Sequence, residues 1–148
     1  MADDSIIQLP SMSSAIALAG YGEANIKFLC QQTGANLVLR GQELLISGTP
    51  KQVELAKRLV RSLENLWSKG NNISSADILT ARQALDTNTE DQLQDLQRDI
   101  LAKTRRGFEI RAKTFHQRQY IDALRRRDLT FCIGPAGTGK TYLAVVMA

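Results

Sequence analysis

The chain has little of what many site chemistries need. Its 148 residues include one histidine, two cysteines and three prolines. The single histidine, His116, reads as a packing or surface residue rather than a catalytic base. Cys30 and Cys132 lie far apart, without metal-ligand or redox spacing, as in a protein that keeps its thiols reduced. No apolar run approaches the roughly 20 residues of a membrane span. The opening MADDSIIQLP is acidic where an export leader would be basic and then apolar, so the expected compartment is the cytoplasm. Catalytic pairs of carboxylates, internal repeats and low-complexity tracts are missing too.

Charge is plentiful but unevenly spread. Residues 1–69 carry +1, residues 70–102 carry −4 and residues 103–148 carry +7, for a net +4. The expected organisation follows those limits: a neutral domain at 1–69, an acidic helical linker at 70–102, and a basic segment at 103–148 that starts a second domain. A basic segment suits polyanionic partners.

In the first segment, SIIQLP reads as a short apolar strand stopped by Pro10. Residues 11–20 read as a helix capped by Ser11 or Ser13 and stopped by Gly20. Residues 23–34 read as a second helix with Ile26, Leu29, Cys30 and Thr33 on one stripe. NLVLR and ELLISG flank Gly41-Gln42 as a hairpin. Residues 49–67 read as a long helix. Thr49 and Gln52 form its capping box, Pro50 takes the first position, and Val53, Ala56, Val60, Leu63 and Trp67 form its apolar stripe.

The order is β-α-α-β-β-α, and Gly20-Tyr21-Gly22-Glu23 joins the first two helices. This stretch, with NIK, TGA and SGTPKQVELA in register after it, resembles a K-homology (KH) domain across about residues 5–68. In that family a G-x-x-G loop lets a nucleic-acid backbone approach closely, and the next helix with the first hairpin strand forms a groove for about four single-stranded nucleotides. The resemblance therefore implies single-stranded RNA contacts at Gly20, Tyr21, Gly22 and Lys27. One position departs from the pattern. Glu23 stands where the family has glycine, and its carboxylate would repel phosphates or serve as a first-turn charge for the helix. The plain alternative is a KH-like fold kept for packing or protein contact.

The middle segment offers a polar linker at 69–77, a helix at 76–85 capped by Ser74 or Ser75, and a helix at 90–100. Asp91, Asp95 and Asp99 recur every four residues and are expected to form a solvated face without opposing partners. Docking of a basic neighbour is the other reading.

In the last segment, residues 100–114 read as a hairpin turning at Arg105-Arg106-Gly107, followed by a helix at 115–129. Arg125, Arg126 and Arg127 crowd that helix's end, where cations favour the dipole. LTFCIG is an apolar strand candidate. It runs into Gly134-Pro135-Ala136-Gly137-Thr138-Gly139-Lys140-Thr141, which is G-x-x-x-x-G-K-T, the P-loop (Walker A) pattern. Its glycines let the backbone curl so that successive N–H groups face phosphate oxygens. The helix that follows directs its positive end at the same anion. Lys140 would reach the β- and γ-phosphates, and the Thr141 hydroxyl would meet Mg²⁺. The cofactors expected are thus ATP and Mg²⁺.

The stretch KTFHQRQYIDALRRRDLTFCIGPAGTGKTYLAVVMA resembles the PhoH-like ATPases. That resemblance implies a helicase-like core linked to RNA metabolism, with Gln117 placed to read adenine through its amide. The plain alternative for Gln117 is a solvent-facing helix residue. The expected fold class is α/β: a small KH-like domain, a helical linker, and the incomplete start of a P-loop domain with a parallel sheet. The chain carries the grip for a triphosphate and lacks the other parts of a hydrolytic site, so no catalytic residue is assigned and no turnover is expected of it alone. Leu129, Phe131, Ile133, Val145 and Val146 would lack packing partners, leaving residues after about 128 poorly stable. Arg105, Arg106, Arg111, Lys113 and Arg125 to Arg127 would add phosphate contacts. Two other functions compete: a non-enzymatic single-stranded RNA-binding module built from the KH-like head and the basic tail, and a small-molecule kinase.

Overall fold

In the computed structural model, which describes residues 3–107, 109–126 and 140–147, period-two alternation sets the first sheet. Strands β1 (Asp3–Gln8), β2 (Asn36–Arg40) and β3 (Glu43–Gly48) pair antiparallel in the order β1-β3-β2. The register pairs Ile7 with Leu44 and Leu37 with Ile46, and all four are buried. Ile6, Leu45 and Val38 align across the strands on the other face.

Helices α1 (Met12–Ala19), α2 (Ala24–Thr33) and α3 (Pro50–Ser62) complete the expected β-α-α-β-β-α order. Helix starts follow side-chain caps. Ser11, not Ser13, caps α1 by accepting from the Ser14 N–H at 3.1 Å. The α3 capping box is present, with Gln52 N–H on Thr49 Oγ1 and Thr49 N–H on Gln52 Oε1. Val53, Leu59 and Val60 of α3 are buried, each contributing about 1.5–3 kcal/mol by leaving water.

The long helix expected over 49–67 is two helices, α3 and α4 (Glu64–Trp67), broken at Leu63. The Val60 carbonyl accounts for the break. It accepts the Leu63 N–H at 3.1 Å and the Trp67 indole N–H at 2.9 Å. The stripe survives the break, since Leu63 and Trp67 are both buried.

The chain divides into two compact units, residues 1–94 and 95–148. The stretch expected as a linker is shared between them. Its first helix, α5 (Ser75–Thr87), starts at a Ser74–Asp77 capping box and packs on α2 and α3. The approach to it is also tied down. The buried Asn25 donates from Nδ2 to the Ile73 carbonyl at 2.7 Å, and Ile73 N–H reaches the Ala17 carbonyl at 3.4 Å. Helix α6 (Glu90–Arg98) crosses the division.

In the second unit, β4 (Ala102–Lys103) and β5 (Glu109–Ile110) form the expected hairpin, with Ala102 opposite Ile110. Helices α7 (Phe115–Arg126) and α8 (Lys140–Met147) pack together. Ile121 and Leu143 are buried, while Val145 is exposed. Both sheets among the described residues are antiparallel. The strand expected at 129–134 and the loop 134–139 lie outside the described residues.

Asn25→Ala leaves the Ile73 carbonyl without its donor in a dry place. We expect it to lower the unfolding free energy by about 1–3 kcal/mol in urea denaturation. A loss below roughly 0.5 kcal/mol, the range of ordinary surface changes, would contradict this.

Candidate functional site

Two regions carry the residues singled out by sequence. In the first, the backbone leaves α1 at Gly20 (φ 75°), passes Tyr21, and turns left-handed at Gly22 (φ 60°) and Glu23 (φ 60°) before α2. A Cβ at Gly20 would lie 2.8 Å from Asn25 Nδ2, so the tie to Ile73 and a side chain there exclude each other. A Cβ at Gly22 would meet nothing within 4 Å. Tyr21 is fully exposed at 100%, and Lys27 is exposed one turn into α2. The departure at Glu23 has a backbone consequence. Its left-handed conformation, natural to glycine, costs an L-residue about 1–2 kcal/mol. Glu23 holds the N-cap position of α2 but makes no side-chain cap bond.

In the second region, Lys140 opens α8. Gly134, Pro135, Ala136, Gly137, Thr138 and Gly139 lie outside the described residues, as do the side chains of Lys140 and Thr141. Gln117 sits in the first turn of α7, the helix against which α8 packs. It is half-buried. Its N–H donates to Thr114 Oγ1 at 3.1 Å, and its Oε1 accepts the Lys113 N–H at 2.8 Å, so Gln117 helps cap its own helix.

Sequence reasoning missed the charged cluster beside that helix. Asp99 was expected on a solvated face without partners, and it has two. Arg125 donates to both its carboxylate oxygens, at 2.9 and 3.3 Å, and Arg118 lies 3.6 Å away. Arg118 also donates to the Asp95 carbonyl at 3.1 Å and faces Asp122 at 3.7 Å. The signal was spacing: Arg118, Asp122 and Arg125 fall at i, i+4 and i+7, one helix face. Two of the arginines expected to add phosphate contacts are engaged or buried within the unit. Arg125 is bound to Asp99, and Arg111 is buried at 7% exposure. Arg105 and Arg106 remain exposed, and Arg127 lies outside the described residues. His116 is exposed in the first turn of α7. Among the described residues, no group of His, Cys, Asp and Glu could hold a metal ion, and no helix is long and apolar enough to cross a membrane.

Hydrogen bonding from Arg125 is the main cause that holds the Asp99 carboxyl below its ordinary 3.8. Partial burial opposes that, and the charges of Arg125 and Arg118 reinforce it. A carboxyl depressed in the folded state stabilises above its unfolded pKa, and the contribution is lost as pH falls through the lowered value. With side chains 24% and 39% exposed, the pair is discounted for solvent to about 0.2–1 kcal/mol. Asp99→Asn should therefore be less stable than the parent at neutral pH, by up to about 1 kcal/mol. That gap should close on acidification through the carboxylate range, and denaturation curves with an equal gap at both pH values would contradict it.

Comparison with known proteins agrees with both regions. The family model for the KH domain matches residues 7–62, and that for the PhoH-like protein matches residues 109–148. The chain is 55% identical over 142 residues to a PhoH-like protein of Synechocystis sp., covering 96% of this chain and 43% of that protein. A PhoH-like protein of Bacillus subtilis is 37% identical over 141 residues, covering 95% of this chain and 44% of that protein. One of Mycobacterium tuberculosis is 35% identical over 134 residues, covering 90% and 38%. The chain thus spans less than half the length of these relatives. No solved structure gives a significant match. Similarity that runs without interruption of kind from the KH segment through the PhoH-like segment has one reading: the chain belongs to the PhoH-like family.

Proposed function

We propose that this chain supplies the ATP-binding grip of a PhoH-like ATPase linked to RNA metabolism. The observation that carries the reading is GPAGTGKT with a helix that begins at its lysine, Lys140. Backbone amides between Gly134 and Gly139, with the start of α8, are the groups that would bind the phosphates. Lys140 neutralises the β- and γ-phosphate charge. Gln117 reads adenine through its side-chain amide.

Mg²⁺ fits the donor chemistry of this segment, because a hydroxyl oxygen such as that of Thr141 is a hard ligand. When bound, the ion offsets charge on the phosphates. Hydrolysis further requires an acidic ligand from another strand, a group that orients water and an arginine. We assign these to the remainder of the ATPase domain, and turnover to the protein that contains it, in the cytoplasm. Lys140→Ala in a protein of the relatives' full length should abolish ATP hydrolysis while far-UV circular dichroism stays unchanged. Undiminished hydrolysis would refute the assignment.

One observation favours a second element of function, single-stranded RNA binding by the KH unit. The loop Gly20 to Glu23 presents a fully exposed Tyr21 and an open approach at Gly22, with Lys27 close by in sequence. A non-enzymatic protein would rely on this unit together with the basic segment at 103–148. Glu23→Gly removes both the left-handed cost and a carboxylate that repels phosphate. It should raise stability by about 0.5–1 kcal/mol and tighten single-stranded RNA binding, with an affinity that falls as salt rises. Weaker binding than the parent would overturn this view of the loop, and no binding by either protein at low salt would remove the RNA reading.

A further inference from the structure

We propose that Tyr21 is a stacking platform for one nucleobase of single-stranded RNA, so that the loop from Gly20 to Glu23 grips a base more than the phosphates. The inference rests on the RNA reading of the first unit above and names the group that carries its affinity.

Charge is too sparse to carry it. The stretch from Leu9 to Gly22 contains no charged residue, and Lys27 is the one charged residue of α2. Glu23 precedes that helix, and its carboxylate opposes the attraction of Lys27 for phosphate. What the loop presents instead is apolar. Tyr21 is fully exposed at 100%. Met12 and Ile16, exposed at 51% and 65%, fall at i and i+4 on α1, and Gly20 continues that face.

The ring stands on a fixed base. The Gly20 N–H donates to the Ile16 carbonyl at 3.0 Å, and the Glu23 N–H donates to the Gly20 carbonyl at 3.2 Å. The Tyr21 carbonyl accepts the Ala24 N–H. Asn25 fills the space at Gly20 and is itself tied to Ile73. Little besides the two side-chain torsions of Tyr21 is then left to fix when a ligand arrives. Its neighbours on both sides, Gly20 and Gly22, have no side chain to cover a ring face. A Cβ at Gly22 would meet nothing within 4 Å, so that approach is open.

Size decides between a base and a protein partner. A tyrosine buries about 150–250 Å². A stable protein interface takes about 800 Å² from each partner. One ring and two aliphatic side chains fall short of that. One ring matches one base, and every base has a π-face.

The test measures Kd by fluorescence anisotropy with the full chain, in the absence of nucleotide. The probes are a short end-labelled oligoadenylate and a base-free ribose-phosphate strand of the same length. Tyr21→Ala should weaken oligoadenylate binding by about 5- to 150-fold and leave the base-free strand unchanged. Tyr21→Phe keeps the ring and should stay close to the parent. The Tyr21→Ala loss should be the same at about 50 and 200 mM salt, because stacking releases no counterion. The Lys27→Ala loss should shrink about two- to threefold over that range. Far-UV circular dichroism checks that each variant folds. If Tyr21→Ala binds oligoadenylate as well as the parent while Lys27→Ala binds it less well, the stacking role is refuted and the RNA reading of this unit stands. A loss in Tyr21→Phe as large as in Tyr21→Ala would make the hydroxyl the contact and refute stacking. An equal loss for the base-free strand would put Tyr21 on the phosphate backbone and refute it too. If neither Tyr21→Ala nor Lys27→Ala changes binding, or the parent binds no RNA at low salt, the RNA reading of the unit fails and this inference with it. A parent dimer that Tyr21→Ala dissociates in sedimentation would then assign the ring to a protein contact.

Discussion

A helix begins with N–H groups that have no partner inside the helix, and that constraint orders much of this chain. Four helices meet it with their own side chains. Ser11 serves α1, Thr49 with Gln52 serves α3, Ser74 with Asp77 serves α5, and Thr114 serves α7. Helices α2 and α4 start without a side-chain cap bond. The residue before Lys140 is glycine, which has no side chain to offer, and the residues before that belong to a P-loop pattern. A phosphate placed there would satisfy the same unpaired groups that a serine or threonine satisfies elsewhere. Under the proposed reading a nucleotide phosphate would serve as the cap of α8.

The same need for partners shapes the first unit. Gly20 has no side chain because Asn25 fills the space, and Asn25 is buried because Ile73 offers it a carbonyl. The loop beside these residues is left exposed, with Gly22 and Glu23 both left-handed. A glutamate held in a conformation that favours glycine shows that the surrounding structure, more than the residue itself, sets the loop's path. Left-handed backbone is therefore present at Glu23, which stands at the fourth position of the loop, where the G-x-x-G pattern has its second glycine.

Local signals in the sequence carried most of the architecture. The apolar runs SIIQLP, NLVLR and ELLISG marked the three strands, and the Thr49–Gln52 box fixed the start of α3. What stayed hidden depended on partners distant in the chain. The break at Leu63 arises because Trp67 turns back to the Val60 carbonyl, which helical periodicity does not reveal. The tie that holds the approach to α5 joins Asn25 to Ile73, 48 residues away. The partners of Asp99 lie 26 residues away for Arg125, and a run of aspartates four apart looked like an ordinary wet face. At the candidate site, Gln117 was found by resemblance, while its cap bonds to Lys113 and Thr114 needed coordinates.

The claim on which the functional account turns is that the segment from Gly134 to Thr141 wraps the phosphates of ATP. Its most direct test is equilibrium titration of ATP, with and without Mg²⁺, into a protein of the relatives' full length. The account predicts saturable binding at one site per chain, weakened when Mg²⁺ is withdrawn. No detectable affinity for ATP in the presence of Mg²⁺ would contradict it.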